Sequence, residues 1–219
     1  MNICVVIPTF NESNSIGELV SDIRKLGLAV LVVDDGSSDN TAKIAADSGA
    51  VVITNAINKG KGASLIKGFN YCLEQNFDAV ITMDGDGQHL PKDLPLFIRE
   101  AEAKDSPMLV GNRMEQVKEM PLIRILTNKF MSWLISKICH QRIYDSQCGF
   151  RLINKDLLRR MELTSSKYEI ESEMLVRASR LGFKIKSIPI TTVYRGEKSS
   201  INPVSDTIRF IRFIIREIF

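Results

Sequence analysis

Two aspartates separated by one residue, Asp84 and Asp86, lie within Met83-Asp84-Gly85-Asp86-Gly87-Gln88-His89. Such a pair forms a compact, oxygen-rich corner suited to a hard divalent cation. Mg²⁺ or Mn²⁺ takes one or two protein carboxylates and fills its shell with water and phosphate oxygens. The flanking glycines allow a diphosphate to approach closely. A lone Asp-x-Asp is more often a solvated, helix-capping turn, and the regular ligands of a calcium loop are missing. The pair gains meaning from its neighbours: Pro8-Thr9-Phe10-Asn11-Glu12, then Val33-Asp34-Asp35-Gly36-Ser37-Ser38-Asp39-Asn40-Thr41, then Asn58-Lys59-Gly60-Lys61-Gly62. Ser37, Ser38 and Asp39 are also good N-cap residues. Lys61 stands at a glycine-flanked helix start, where backbone N–H groups and an ammonium can meet an anion, or else on a solvated face.

These segments need a frame that brings them to one edge. Apolar runs rich in β-branched residues at Ile3 to Ile7, Ala29 to Val33, Val51 to Thr54, Ala79 to Met83 and Met108 to Gly111 predict strands. Between them Ser13 to Leu26, Thr41 to Ser48, Gly60 to Gln75 and Leu94 to Ala103 carry helical periodicity. The alternation predicts an α/β fold, a doubly wound, mostly parallel sheet flanked by helices, with ligands beyond the carboxyl ends of the strands. The motifs follow the first, second and fourth strands. After Gly111 the alternation breaks: a long apolar helix from Pro121 to His140, a polar loop from Tyr144 to Gly149, a strand near Phe150 to Ile153, a helix near Glu169 to Leu181 and a strand near Lys184 to Ile190. One domain is expected over residues 1–219, with a ligand-binding half at 1–111 and a helical elaboration at 112–219.

With 219 residues and 44% hydrophobic content the chain can bury a sizeable core. Cys4, Cys72, Cys139 and Cys148 show no metal or disulfide spacing, which fits a reducing, cytoplasmic setting. No signal peptide or membrane span is expected. The net charge of +3 is too small to imply a nucleic-acid partner, but basic residues gather from Lys184 onward and suit an anionic one. At the C-terminus Arg209, Arg212 and Arg216 share a helical face. Ile208, Ile211, Ile215 and Ile218, widened by Phe210, Phe213, Ile214 and Phe219, form an apolar face, the pattern of a helix lying in a membrane interface.

The four motifs together, in order, spacing and strand-end placement, resemble the family-two glycosyltransferases of GT-A fold. Within them the chain is most similar to the dolichol-phosphate mannose/glucose synthase branch. The resemblance implies a nucleotide-sugar donor held by Pro8, Thr9, Glu12, Asp35, Lys61, Asp84 and Arg113, with Asp34 a second candidate for the base. It implies Mg²⁺ or Mn²⁺ as cofactor at Asp86 directly, with Asp84 at the ribose or the metal shell and Gln88 close by. His89 reads as a hydrogen-bonded residue supporting the loop, with a ligand or base role the alternative. The stretch Asp145-Ser146-Gln147-Cys148-Gly149-Phe150-Arg151 resembles the branch's acceptor-side loop. A hydroxyl acceptor needs a general base, and Asp145 is the carboxylate for it; a phosphate acceptor needs none, leaving Asp145 to position the acceptor or hold a neighbouring Arg. Cys148 reads as a small buried residue.

Arg113, Arg124, Arg151, Arg195 and Lys198 correspond to the branch's basic residues around the donor diphosphate and an acceptor phosphate. Arg195 and Lys198 are expected to take part in catalysis, and with Arg124 to hold the acceptor phosphate. The reaction implied is inverting transfer of one hexosyl unit from a GDP- or UDP-sugar to a polyprenyl (dolichyl-type) phosphate. The enzyme would sit peripherally on the cytosolic membrane face through its amphipathic helices, with or without a membrane-anchoring partner subunit. A sugar hydroxyl on a soluble or protein-linked acceptor, and an inactive partner subunit, are the alternatives.

Overall fold

The computed structural model describes residues 1–103, 106–115, 120–193 and 203–218. Strands β1 (Ile3–Thr9), β2 (Ala29–Asp34), β3 (Val51–Thr54), β4 (Ala79–Thr82), β5 (Met108–Asn112), β6 (Arg151–Asn154) and β7 (Ile185–Pro189) form one sheet in the order β3-β2-β1-β4-β6-β5-β7. All pairings are parallel except those of β6, which runs against both β4 and β5. The sheet is covered by α1 (Ile16–Lys25), α2 (Thr41–Asp47), α3 (Lys61–Glu74), α4 (Leu94–Glu102), α5 (Leu122–Cys139), α6 (Lys155–Arg160), α7 (Ile170–Arg180) and α8 (Pro203–Ile218). Central strands such as β1 and β4 are buried throughout most of their length, which is why they read as unbroken apolar runs.

Helix α3 lies close on β1 because it presents Gly68 there; a Cβ at that position would come within 2.6 Å of Val6 Cγ1. The first helix starts later than its periodicity suggests. Residues 13–15 form a turn, and the Ser15 hydroxyl donates to the Gly85 carbonyl at 2.6 Å, tying the first motif to the aspartate loop. Helix α6 was not expected. Asn154 begins it as an N-cap, its side chain accepting from the Leu157 N–H at 2.9 Å.

Two expectations need correction. Arg151 is not at a phosphate site: it is fully buried, with Nε donating to the Cys148 carbonyl at 2.8 Å, Nη2 to the Ser146 carbonyl at 2.8 Å and Nη1 to the Glu171 carbonyl. It staples the 146–149 loop to α7. In α8 the apolar residues do not form one side. Phe210, Phe213 and Ile214 turn inward with Glu217, which pairs with Arg177 at 3.3 Å and with Arg180. Ile208, Ile211 and Ile215 face out at 46–53% exposure, beside exposed Arg212 and Arg216.

Arg151→Lys should lower the unfolding free energy by about 2–4 kcal/mol, because a lysine cannot span three carbonyls with one planar fork and leaves buried acceptors unpaired. Urea denaturation followed by circular dichroism measures it; an unchanged midpoint would show that the staple is dispensable.

Candidate functional site

The carboxyl ends of β1, β2, β4 and β5 bring the motifs to one edge of the sheet, and the reversed β6 adds the loop that precedes it. At the centre is Asp84, two residues beyond β4. Its Oδ1 pairs with Lys61 Nζ at 2.5 Å, and the same ammonium pairs with Glu171 Oε1 on α7 at 2.5 Å. Burial opposes the charge on Asp84, but the Lys61 ammonium, with the Arg113 guanidinium adding to it, outweighs burial and holds the carboxyl well below the usual carboxylate range. Gly149 closes the other side, since a Cβ there would lie 2.6–2.7 Å from both Asp84 oxygens. Gly85 likewise lets Thr9 approach, its absent Cβ leaving room for Thr9 Cγ2. Asp86 Oδ1 accepts from the Gln88 N–H at 2.9 Å, which curls the aspartate loop around Gly87 at φ 72°.

The adjoining part of the edge is built from the first two strand ends. Asp35 N–H donates to the Thr9 carbonyl at 2.8 Å. The Asp35 carboxylate is buried and accepts from Asn55 Nδ2 at 2.8 Å, the Lys59 N–H at 2.9 Å and the Gly60 N–H at 2.6 Å, thereby setting the start of α3. Asp34 is taken up by Ser37. Thr9 Oγ1 and His89 Nδ1 are buried with no hydrogen-bond partner among the described residues. Burial pushes His89 down to about 4, so it is neutral near pH 7 and stacks on Phe150 at 5.6 Å.

Across the edge, Asp145 and Arg113 form a two-point pair, Nε to Oδ2 at 2.7 Å and Nη2 to Oδ1 at 2.9 Å. Asn128 Nδ2 and the Gln147 N–H also donate to Oδ1, at 2.9 and 3.2 Å. Burial works against the Asp145 charge, but Arg113 and these donors hold its carboxyl below the usual range. Cys148 is buried, its thiol pushed up to about 12 by burial.

Pro8, Thr9, Glu12, Lys61, Asp84, Asp86, Gln88, Arg113 and Asp145 thus share one strand-end edge, with Asp35 beneath the loop it organises. Arg124 is half-buried in the first turn of α5. Arg195 and Lys198 lie outside the described residues; Val193, the last described residue before them, donates its N–H to the Gln88 carbonyl at 3.1 Å. Glu171, Gly149 and Asn128 were not singled out in the sequence. Among the described residues no three His, Cys, Asp or Glu side chains form a ready-made metal centre. The donor set fits a cation that shares its shell with phosphate: two neighbouring carboxylates, one firmly anionic, in a cradle that a single Cβ at Gly149 would fill.

An open, mostly parallel α/β sheet with an aspartate pair just beyond its fourth strand defines the class as an α/β protein with a carboxylate corner suited to a divalent cation and phosphate, and comparison with known proteins narrows it. The sequence model described as Glycosyl transferase family 2 matches residues 4–161, and the chain belongs to that family. It is similar to the UDP-N-acetylglucosamine–dolichyl-phosphate N-acetylglucosaminyltransferase of Methanococcus voltae, 30% identical with 88% of this chain and 86% of that one covered. It is also similar to the undecaprenyl-phosphate mannosyltransferase of Micrococcus luteus, 31% identical, covering 89% and 85%. Among solved structures, glucosyl-3-phosphoglycerate synthase of Mycobacterium tuberculosis, in complex with uridine diphosphate, shares the fold at a TM-score of 0.80 and 18% identity, covering 99% of this chain and 79% of that one. The protein is therefore a glycosyltransferase of GT-A fold.

Gly149→Ala should weaken Mn²⁺ binding at least about tenfold by displacing the Asp84 carboxylate, at a cost in stability of about 1–3 kcal/mol, since Gly149 is buried and the added methyl group overpacks the loop. Titration of Mn²⁺ followed by electron paramagnetic resonance tests this; wild-type affinity in the variant would remove Asp84 from the metal corner.

Proposed function

We propose that this enzyme transfers one hexosyl unit, with inversion, from a nucleotide sugar to a polyprenyl phosphate at a membrane surface. The observation that carries the reading is the buried Arg113–Asp145 pair. A carboxylate occupied by a guanidinium, an amide and a backbone N–H, and held below its usual range, is a poor base. A phosphate acceptor needs none, because its oxygen is already anionic and attacks the anomeric carbon directly as the bond to the donor diphosphate breaks. Asp145 is then the residue that orients Arg113 towards phosphate oxygens. The relatives named for dolichyl and undecaprenyl phosphate support the same acceptor class.

In this reading the first half of the chain holds the donor. Thr9, with its unpartnered hydroxyl, and Glu12 lie against the nucleoside, and Asp35 faces the base from beneath or shapes the loop that does. Asp84 and Asp86, with Gln88 beside them, would hold Mg²⁺ or Mn²⁺, which when bound neutralises charge gathering on the departing diphosphate. Arg113, Arg124, Arg195 and Lys198 offset the repulsion between two phosphate-bearing substrates.

The second half meets the membrane. No helix among the described residues is long and apolar enough to cross one. Helix α5 instead exposes Leu122, Ile123, Leu126, Phe130 and Trp133 at 56–73%, while Asn128 and Ser132 on its inner side bond Asp145 and Ser146. The isoleucines of α8 supply a second exposed stripe flanked by arginines, the composition of a peripheral helix at an anionic surface. A membrane-anchoring partner subunit would be a further means of attachment.

The test is incubation with radiolabelled UDP- and GDP-sugars and liposomes containing undecaprenyl or dolichyl phosphate. A metal-dependent, lipid-soluble, mild-acid-labile sugar phosphate is expected. Asp86→Ala should abolish its formation, while Asp145→Asn should reduce it without removing an acid limb from the pH profile. Transfer to a sugar hydroxyl instead, with an acid limb that Asp145→Asn erases, would overturn the reading in favour of base catalysis.

In the same vesicles, replacing Leu126, Phe130 and Trp133 together by Ser should lower sedimentation with anionic liposomes by roughly tenfold and leave nucleotide binding unchanged, since these side chains touch solvent. Undiminished sedimentation would place the docking surface elsewhere.

A further inference from the structure

The ammonium of Lys61 is shared between two carboxylates at equal distance, Asp84 Oδ1 and Glu171 Oε1, both 2.5 Å away. It is largely enclosed, at 15% exposure, and Glu171 at 6% is more enclosed still. The Tyr168 ring lies 5.9 Å from the same nitrogen. Lys61 is fixed from behind as well. It opens α3 directly after Gly60, and the Ala63 N–H donates to the Ser166 carbonyl at 3.0 Å, so the segment that leads into α7 is fastened across the helix start. Glu171 is fastened in turn, its carbonyl accepting from buried Arg151.

Asp84 thus has two cationic claimants: the lysine already on it and the divalent ion its corner suits. An ammonium confined to Asp84 alone would have to be pulled off, unpaired and partly desolvated, before a metal could use that oxygen, and such a cost is large in an enclosed site. A second carboxylate at the same distance removes most of it. The lysine can keep an ion pair while giving up Asp84, and from Glu171 it remains beside the corner where a donor diphosphate would lie.

We propose that Glu171 is a positioning residue that acts through Lys61: it holds the ammonium when Asp84 is surrendered to the metal, and so sets how easily the metal and donor diphosphate displace the Lys61–Asp84 pair. The inference rests on the donor-site reading above and adds to it a residue on α7 that does not itself touch metal or substrate.

The signs follow. Lys61 competes with the metal, so Lys61→Met should tighten Mn²⁺ binding in the absence of nucleotide. Glu171→Gln keeps the shape but drives the lysine wholly onto Asp84, so it should weaken Mn²⁺ binding, by about five- to tenfold. In the Lys61→Met background the Glu171→Gln effect should shrink to twofold or less, because the intermediary is gone; pairs coupled through a shared partner are non-additive in this way.

The probe is Mn²⁺ alone, titrated into the full chain and read by electron paramagnetic resonance, with circular dichroism melting on each variant to confirm folding. A general loss of packing would weaken binding in every variant and could not give opposite signs. Equal effects of Glu171→Gln with and without Lys61 would overturn the inference by showing that Glu171 acts directly, and so would unchanged binding in Glu171→Gln. If the signs hold but no sugar reaches a polyprenyl phosphate, the proposed function fails and the inference stands. A wild-type chain that takes up no Mn²⁺ overturns both.

Discussion

The direction of one strand governs how this site is assembled. In a parallel sheet only the carboxyl ends of strands face the ligand edge, so each strand offers that edge one loop. Strand β6 sits between β4 and β5 and runs the other way, pairing Arg151 with both Thr82 and Val110. Its amino end therefore reaches the ligand edge, and the loop from Asp145 to Phe150 arrives beside Asp84. Thr82 Oγ1 fixes it there by donating to the Gly149 carbonyl at 2.6 Å. Without that reversal, Gly149 could not close on Asp84, nor Asp145 on Arg113.

A loop packed so tightly requires charge to be matched with charge. The edge encloses Asp84, Asp145 and Glu171 against Lys61, Arg113 and Arg151, and each finds a partner of the other sign or a set of carbonyls. Ion pairs of this kind add little net stability over apolar packing, while losing one partner is costly. Their consequence is geometric. Each pair ties together residues distant in the chain: Lys61 to Glu171, and Arg113 to Asp145.

The central parallel strands are legible because burial on both faces leaves unbroken β-branched runs, and because strand-end motifs must fall just beyond those runs. Phe150 to Ile153 reads as a strand, but its apolar pattern is the same in either direction, so the reversal is invisible. Helix α6, which Asn154 caps, spans only six residues and carries too little periodicity to register in the sequence. Glu171 and Glu173 look like surface charges on a helix; eight of the eleven residues of α7 are buried, so both must be paired inside. Arg151 misleads for the same reason, its guanidinium serving carbonyls rather than phosphate. In α8 a broad apolar side cannot reveal which part packs inward, and Glu217 settles it by drawing its own turn against Arg177 and Arg180.

Helix α5 joins the two chemistries that the proposed reaction has to bring together. Up to Ser132 its buried positions are polar: Asn128 bonds Asp145, and Ser132 bonds Ser146 through both its hydroxyl and the Ser146 N–H, whereas Ile135 and Cys139 further along pack into the core. Its outer face is apolar where most are polar. Over that first part the usual helical pattern is inverted, with polar residues inside and Phe130 and Trp133 exposed. It is consistent if the helix has a lipid phase on one side and an anion site on the other. On the proposed function, a phosphate at headgroup depth then reaches Arg113 across the thickness of a single helix, and the polar inner face keeps the guanidinium aimed while the outer face fixes the depth.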